Sequence, residues 1–340
     1  MRPFLYQRAA SVADAVAGAA PSGNPVPPTL AATQFLAGGT TLLDLMKLDV
    51  MQPDALIDIG DLGRGGTRIE RRSDALYLSA VTRMAEAAQH PDLMRDYPVV
   101  VQSLDLAASP QIRNMATLGG NVLQRTRCTY FRDTAWAACN KRDPGSGCAA
   151  LDGVNRKHAV LGVSDQCIAA YPGDFAQALI VLDALVEIAG PQGVRVIPLA
   201  GLHRAPGDAP QVETVLMPGD LITGFALPVA PWTRRSVYLK VRDRESYEFA
   251  LASAAVALDM GDDGAVKAAR IALGGVATKP WRAHEAEAAL AGKHIDQGTA
   301  RAAAEAAFAA AKPRDGNAYK PELGKRTLVR ALLQASEMSI

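Results

Sequence analysis

Short apolar runs separated by glycines set the pattern of the first third of the chain. The spacing predicts a helix that starts over residues 11–16 and a buried strand over residues 34–37, directly before Gly38. Apolar runs at residues 75–78 and 99–101 predict further elements of an α/β layer, with a helix over residues 83–89 between them. We therefore expect a layered unit in which elements alternate with glycine turns.

The pattern changes in the second half of the chain, where strand-like runs precede helices. A helix-to-strand pattern begins at Phe175, a short strand is predicted at residues 194–198, and the prolines of residues 228–231 mark a linker. Beyond the linker, strands are predicted at residues 236–241, 250–258 and 268–273, and helices at residues 283–291, 299–311 and 325–336. Strands followed by helices indicate an α+β unit.

Length and charge narrow the class of protein. A chain of 340 residues is long enough for two or three packing units. The formal net charge of +1 lacks the positive excess that nucleic acid binding requires, so no nucleic acid partner is predicted. Apolar runs stay well below the roughly 20 residues that span a bilayer, so we expect no membrane insertion and no export signal on this chain.

Two glycine pairs carry the first chemical signal. Gly38 and Gly39 follow the predicted strand, and residues without Cβ let backbone N–H groups approach a diphosphate closely. Residues 116–122 repeat this arrangement in a second turn, with a hydroxyl, two glycines and an amide side chain. Either segment alone is common in ordinary tight turns. Together in one α/β unit, the two could hold one diphosphate from both sides.

The cysteines carry the second signal, because all four fall within residues 125–173, a stretch without helical or strand periodicity. So long a loop inside a compact domain is unusual without a bound cofactor, and disulfides belong mainly to small secreted domains. Four thiolates satisfy the demand of a 4Fe-4S cluster. Zinc would accept the same sulfurs, but its structural sites usually pair cysteines two to four residues apart. The predicted metal ligands, separated by gaps of ten, eight and eighteen residues, are Cys128, Cys139, Cys148 and Cys167.

Basic residues accompany these cysteines in the sequence. They are expected to offset the negative charge of the thiolates, with an ordinary solvated loop face as the alternative. They are Arg125, Arg127, Arg132, Lys141 and Arg142. The five histidines are scattered along the chain, and no catalytic residue is assigned.

Both glycine segments resemble the FAD subunits of the xanthine dehydrogenase and carbon monoxide dehydrogenase family. The resemblance extends to residues 4–9, 218–222 and 271–280 and so covers nearly the whole chain. It implies an α+β fold, with a two-lobed FAD-binding domain like that of vanillyl-alcohol oxidase over residues 1–230, in lobes of about 1–60 and 61–230. A C-terminal domain of the carbon monoxide dehydrogenase flavoprotein type, with a three-stranded sheet and helices, is implied for residues 231–340.

The resemblance also implies which residues contact FAD. The two glycine segments bind the diphosphate and flank the flavin, Asp174 contacts the ribityl and adenosine portion, and Lys240 lies near the flavin ring. From the residues alone, Asp174 would be a helix N-cap and Lys240 a solvated strand residue. The full set is Leu36, Ala37, Gly38, Gly39, Thr40, Thr41, Leu42, Thr117, Gly119, Gly120, Asn121, Asp174, Ile222 and Lys240.

The cysteine loop is an insertion relative to most of the family. Its residues 139–142 and 145–148 resemble the cluster loop of bacterial periplasmic aldehyde oxidoreductases. This implies a subunit with FAD and a 4Fe-4S cluster in a heterotrimeric molybdenum-dependent enzyme, beside a large molybdenum-cofactor subunit and a small 2Fe-2S subunit. Electrons would pass from these partners through FAD to a final acceptor. The location would be periplasmic, by co-export with a signal-bearing partner, or cytoplasmic.

Three alternatives remain open from the sequence. The loop is also similar to that of the flavin subunit of hydroxybenzoyl-CoA reductase. A self-contained flavin oxidoreductase would need its own base or flavin anchor near the ring, and neither glycine segment adjoins a His or Tyr. A zinc-stapled binding module would need only the cysteines.

Overall fold

A small parallel sheet opens the chain in the computed structural model, which describes residues 1–20, 26–62 and 68–340. Its strands lie in the order β1, β3, β2, so their carboxyl ends meet at one edge. The strands are β1 (Leu5–Arg8), β2 (Thr33–Leu36) and β3 (Ala55–Asp58), with helices α1 (Val12–Gly18) and α2 (Leu42–Lys47). Helix α1 begins where predicted because the Ser11 hydroxyl accepts from the Asp14 amide at 3.0 Å.

A group of short helices follows the first two strands of the next sheet. These strands are β4 (Ile69–Arg71) and β5 (Ala75–Ser79). The helices are α3 (Met84–Ala88), α4 (Pro91–Asp96), α5 (Pro98–Asp105), α6 (Pro110–Arg113), α7 (Leu118–Val122), α8 (Thr129–Arg132) and α9 (Phe175–Val181).

The second sheet is antiparallel and is completed by three strands that come after α9 in the sequence. They are β6 (Leu185–Gly190), β7 (Gly193–Pro198) and β8 (Leu221–Pro228), and the spatial order is β4, β5, β8, β6, β7. Because β8 pairs with β5, the chain returns to the first part of this unit only after residue 220.

Two predicted details of this region are corrected by the structure. Residues 99–101, predicted as an element of the α/β layer after the helix over residues 83–89, lie within helix α5. Pro98 begins that helix, and its buried face includes Val99, Val100 and Leu104. The second glycine turn is also a helix, α7, because the Thr117 hydroxyl caps it by accepting from the Gly120 amide at 3.2 Å.

The third sheet is antiparallel and carries the C-terminal helices. Its strands lie in the order β12, β11, β10, β9. They are β9 (Ser236–Val241), β10 (Ala252–Met260), β11 (Val266–Gly274) and β12 (Trp281–Arg282), and the helices are α10 (His284–Leu290), α11 (Gln297–Ala307) and α12 (Lys320–Ser336). The sheet has four strands instead of the predicted three. The additional strand, β12, is only two residues long, too short to leave a period-two pattern in the sequence.

Strand β10 joins two parts of the core. Ala255 and Ala257 face the cluster that contains α5 and α9, while Val256 and Leu258 face the cluster with α10, α11 and α12. The alternation is that of a strand buried on both faces. One face of the C-terminal sheet therefore packs directly on the layer that holds the second glycine segment.

Candidate functional site

The first glycine segment leaves the carboxyl edge of the parallel sheet. β2 ends at Leu36, and Gly38 follows it into close contact with another stretch of backbone. A Cβ on Gly38 would lie 2.0 Å from the carbonyl oxygen of Met115. Gly39 has a φ of +74°, a conformation that glycine adopts without strain. Neither position accommodates a larger residue in this backbone.

The second glycine segment is held by backbone hydrogen bonds to the residues that directly follow β5. The amide of Leu118 donates to the Thr82 carbonyl at 2.9 Å, and the amide of Gly119 donates to the Ala80 carbonyl at 2.8 Å. A Cβ on Gly119 would lie 3.0 Å from the Cβ of Ala80. The contact of Gly38 with Met115 therefore brings together two segments that are each fixed to their own sheet.

The paired segments separate two clefts. The first cleft is lined by Ala37, Gly38, Gly39, Leu42, Thr117, Gly119 and Ile222, together with Arg125 and Glu213. The second cleft lies on the other side and is lined by Asp44, Asn121, Arg127, Asp174, Tyr247 and Phe249, among others. Thr40, Thr41 and Gly120 border both clefts. A ligand that crosses the two glycine segments would thus reach both.

Polar groups of the glycine segments remain available to a ligand. Among the residues that the structure describes, no backbone acceptor binds the amides of Gly38, Gly39, Thr40 and Thr41. The Oδ1 of Asn121 is buried and likewise finds no hydrogen-bond partner in the described chain. Buried polar atoms are normally satisfied, so these groups are suited to a polar ligand.

Asp174 and Lys240 form a buried ion pair behind the second cleft. The ammonium of Lys240 donates to Asp174 at 2.7 Å and to the Leu106 carbonyl at 2.9 Å. The hydroxyl of Tyr238 donates to the other carboxylate oxygen of Asp174 at 2.5 Å. The side chains of Lys240 and Asp174 are 1% and 4% exposed. Asp174 precedes α9, but its carboxylate is bound by these residues rather than by the helix amides, and Lys240 is buried rather than solvated.

Leu36 packs behind the first segment. It lies against the apolar cluster of Leu45 and Phe131, and its carbonyl accepts from the Ile59 amide at 2.9 Å. Of the predicted FAD contacts, Leu36 and Lys240 are thus placed behind the walls of the clefts, and the other residues line them.

The four cysteines surround one enclosed cavity, which we call the cysteine cavity. Cys128 precedes α8, Cys139 and Cys148 face each other across an isolated antiparallel bridge, and Cys167 forms a similar bridge with Ser164. All four are free thiols. Residues separated by up to 39 positions in an irregular loop are thus gathered around one cavity.

Burial controls the ionisation of two of these thiols. Burial, reinforced by the neighbouring Cys139 and Cys167, raises the pKa of Cys128 to about 12. Burial likewise raises the pKa of Cys167 to about 11, although the nearby charge of Lys141 acts in the opposite direction. A cationic ligand would favour the thiolate form of these cysteines.

Asn140 and Arg142 hold the loop in shape through hydrogen bonds to its backbone. The Oδ1 of Asn140 accepts from the amides of Gly145 and Gly147 at 3.1 and 2.8 Å. Arg142 donates to the carbonyls of Tyr130 and Phe131 at 2.7 and 2.9 Å. These side chains supply hydrogen-bond partners to backbone N–H and C=O groups of the loop. In a helix or a sheet, such groups would bind each other.

The basic residues near the cysteines have other partners than the thiols. Arg127 and Arg132 bind Asp44 at 3.2 and 2.8 Å. Burial opposes the ionisation of Asp44, but Arg132 and Arg127 outweigh it and hold the pKa of that carboxyl below its usual value. Arg125 binds Glu213 at 3.1 Å. Only Lys141 of the predicted basic set lines the cysteine cavity.

Two residues of this region were not identified from the sequence. The Nε2 of His158 lies 3.2 Å from the Sγ of Cys128, and burial, with the charge of Lys320, lowers the pKa of His158 to about 4. Glu213 reaches Arg125 across 88 positions of sequence. Contacts over such separations follow from the fold and leave no local pattern.

Within the described residues, no group of three or more His, Cys, Asp or Glu side chains is spaced to bind a single metal ion. The same part of the chain contains no helix whose length and hydropathy would let it span a membrane.

Comparisons with known proteins agree over the length of the chain. The FAD binding domain in molybdopterin dehydrogenase matches residues 2–230, and the CO dehydrogenase flavoprotein C-terminal domain matches residues 237–335. The chain is 46% identical over 336 residues to the aldehyde oxidoreductase FAD-binding subunit PaoB of Escherichia coli, covering 98% of this chain and 99% of that protein.

More distant relatives show the same correspondence. The carbon monoxide dehydrogenase medium chain of Afipia carboxidovorans is 30% identical over 336 residues, which cover 98% of this chain and 96% of that protein. Reconstituted CO dehydrogenase from Oligotropha carboxidovorans superimposes with a TM-score of 0.74 at 26% identity, with 100% of both chains covered.

Proposed function

The chain belongs to the FAD-binding medium subunits of the molybdenum hydroxylase family, and from this premise we propose that it is the FAD- and 4Fe-4S-carrying electron-transfer subunit of a heterotrimeric aldehyde oxidoreductase. The family membership and the predicted fold class are confirmed by the domain matches and by the relatives of full length. The aldehyde substrate class is supported by the identity of 46% with an aldehyde oxidoreductase subunit.

The two glycine segments have the properties that an FAD diphosphate requires. Their contact at Gly38 and Met115 places free amides of Gly38 to Thr41 beside the Thr117 to Asn121 segment. Backbone N–H groups in such a concavity bind phosphate oxygens without needing a charged side chain. Ile222 and Ala37 would contact the nucleotide in the first cleft.

We place the flavin end of the cofactor at the second cleft. Asp174 contributes to the lining of that cleft, where it would contact the ribityl portion beside the ring, and Lys240 fixes its carboxylate from behind. Lys240 would therefore act on the ring through Asp174, in keeping with its position behind the cleft wall. The unpartnered Oδ1 of Asn121 also lies at this cleft and is suited to accept from a ring N–H.

The cysteine cavity offers the ligands that a 4Fe-4S cluster requires. Four free thiols line it, which matches the ligand set of a 4Fe-4S cluster. In such a cluster each thiolate binds a different iron, so the sulfurs stand farther apart than around one tetrahedral zinc ion. The gaps between the cysteines in the sequence favour the cluster, because the cysteines of structural zinc sites usually stand two to four residues apart.

The observation that carries the proposal is the position of this cavity. The loop that builds it starts at Arg125, and Arg125 also lines the first cleft. A redox cluster would thus share its supporting loop with the nucleotide site. Bound FAD would supply the redox chemistry that carries electrons from the molybdenum and 2Fe-2S partner subunits to a final acceptor.

Analysis of the complex tests this proposal. Expressed with its neighbouring subunits, the chain is expected to copurify with a molybdenum subunit and a 2Fe-2S subunit and to contain one FAD and four irons beyond those of the partner. Aldehydes are expected to bleach the flavin absorbance. Cys148→Ser should remove the additional iron while FAD remains. A complex with FAD but without this iron would contradict the cluster, and zinc in its place would support the zinc alternative.

A further inference from the structure

Glu213 connects the first cleft with the cysteine cavity through a chain of three charged residues. Its carboxylate lines the first cleft, where it binds Arg125 through two nitrogens at 3.1 and 3.2 Å. The same carboxylate binds the ammonium of Lys141 at 3.0 Å, and Lys141 lines the cysteine cavity. One acidic side chain therefore holds a cation at each site.

This chain of charges is shielded from water. The side chains of Arg125, Lys141 and Glu213 are 5%, 13% and 17% exposed. Burial opposes the ionisation of Glu213, but Arg125 and Lys141 outweigh it and lower its pKa to about 2. Salt and solvent screen buried charges only weakly. The charge of each of the three residues therefore acts on its neighbours even at physiological ionic strength.

Lys141 is fixed beside the thiols. It stands two positions after Cys139, lines the cysteine cavity, and donates from its ammonium to the Pro210 carbonyl at 2.9 Å. Arg125 is fixed in turn, with its guanidinium 4.6 Å from the ring centroid of Phe131, which lines the same cavity. Glu213 is the contact that both cations share.

We propose that Glu213 is a positioning residue for the cysteine cavity, which fixes Lys141 beside the thiolates and, through its own charge, sets the reduction potential of the cluster that they bind. The inference rests on the proposed function. Reduction adds a negative charge to a cluster, so nearby cations raise its potential and nearby anions lower it. Glutamine at position 213 keeps a side-chain oxygen that accepts from Lys141, so Glu213→Gln removes the negative charge while the ammonium stays in place and should raise the potential. Removing the Lys141 charge should lower it.

The test is a potentiometric titration of the complete purified complex, followed by electron paramagnetic resonance of the cluster. Glu213→Gln is expected to change the ratio of reduced to oxidised cluster at a fixed potential at least tenfold toward reduction, about 59 mV for one electron. Lys141→Gln is expected to shift it in the opposite direction. The double variant restores the net charge of the trio and should return near the wild-type potential. Asp183→Asn, which alters a surface ion pair with Arg270 and Arg282, is the matched control and should leave the potential unchanged.

The outcomes distinguish this inference from the proposed function. Wild-type complex with FAD but no cluster iron refutes the cluster and the inference together. Normal iron and FAD contents with identical potentials in wild type, Glu213→Gln and Lys141→Gln refute the role of Glu213 and leave the proposed function intact. Should Glu213→Gln fail to assemble, the Lys141→Gln potential decides, because an unchanged value there overturns the inference.

Discussion

Gly38 packs so closely against the carbonyl of Met115 that no side chain fits between them. The contact joins the segment after β2 to the segment before α7, and each of these is anchored to a different sheet. A single position without a Cβ thus controls whether the two glycine segments can face one ligand. The proposed nucleotide site depends on this contact more directly than on any side chain.

Gly38→Ala is expected to lose FAD. The new Cβ would lie 2.0 Å from the Met115 oxygen, so the two segments must move apart. Overpacking of this kind costs about 1–3 kcal/mol of folding free energy. We expect the purified complex to retain less than a tenth of its flavin, measured by absorbance at equal protein concentration, and to melt at a lower temperature.

Gly201→Ala provides the control for this substitution. A Cβ at Gly201 meets no described atom within 4 Å, so this variant should keep both its FAD and its melting temperature. Full flavin occupancy in Gly38→Ala would show that the two segments need not touch, and would remove the geometric basis of the proposed diphosphate site.

Breaking the buried pair of Asp174 and Lys240 is expected to destabilise the chain strongly. Removal of one partner leaves an uncompensated buried charge, which typically costs about 3–5 kcal/mol. Lys240→Met should therefore lower the midpoint of urea unfolding markedly. The double variant Asp174→Asn/Lys240→Met should lose less unfolding free energy than the sum of the losses in the two single variants.

The exposed pair of Arg2 and Asp49 serves for comparison. Its side chains are 60% and 47% exposed, so Asp49→Asn should change stability by less than about 1 kcal/mol. Equal effects of Lys240→Met and Asp49→Asn would indicate that the Asp174 carboxylate is solvated in solution.

Local patterns predicted most of the secondary structure but few of the side-chain contacts. Strands β9, β10 and β11 and the helices after them lie near their predicted positions, since apolar periodicity over six or more residues reflects which face is buried. Strand β12 and the helix across residues 99–101 were not predicted. The first is two residues long, and a run of three valines suits a buried strand or a buried helix equally.

The residues of the candidate site likewise include some that the sequence reveals and others that only the fold brings together. Glycine pairs and clustered cysteines are visible in the sequence because each group lies within a short stretch. The ion pair of Glu213 with Arg125 joins residues 88 positions apart, and the contact of His158 with Cys128 joins residues 30 positions apart. Such contacts depend on how the loop folds back on the sheets, and no periodicity records them.

His158→Phe is expected to lower the potential of the proposed cluster. The Nε2 of His158 lies 3.2 Å from the Cys128 sulfur, and an N–H donated to a cluster thiolate favours the reduced state. Phenylalanine preserves much of the volume but donates no hydrogen bond. Redox titration should show a more negative midpoint at unchanged iron content, with a smaller change in His158→Gln. An unaltered midpoint in His158→Phe would show that the contact is packing alone.

Lys320 should make the stability of the chain depend on pH in the alkaline range. Its ammonium group is buried at the start of α12 and donates to the carbonyls of Gly275 and Lys157 at 2.7 and 3.0 Å. Burial, with the charges of Arg156 and Lys157, lowers the pKa of Lys320 to about 7. In the unfolded chain, a lysine has a pKa of about 10.4.

The direction of the effect follows from these two values. Between about pH 10.4 and pH 7 the unfolded chain binds a proton that the folded chain does not, so stability decreases as the pH falls through this window and stays level below it. Lys320→Met removes this group from both states. The difference in unfolding free energy between wild type and Lys320→Met should therefore change by a few kcal/mol from pH 10 to pH 7, in urea titrations at each pH. Lys267→Met, at an exposed position of β11, is the control and should show no such change. Parallel pH profiles of wild type and Lys320→Met would mean that the buried ammonium keeps its proton.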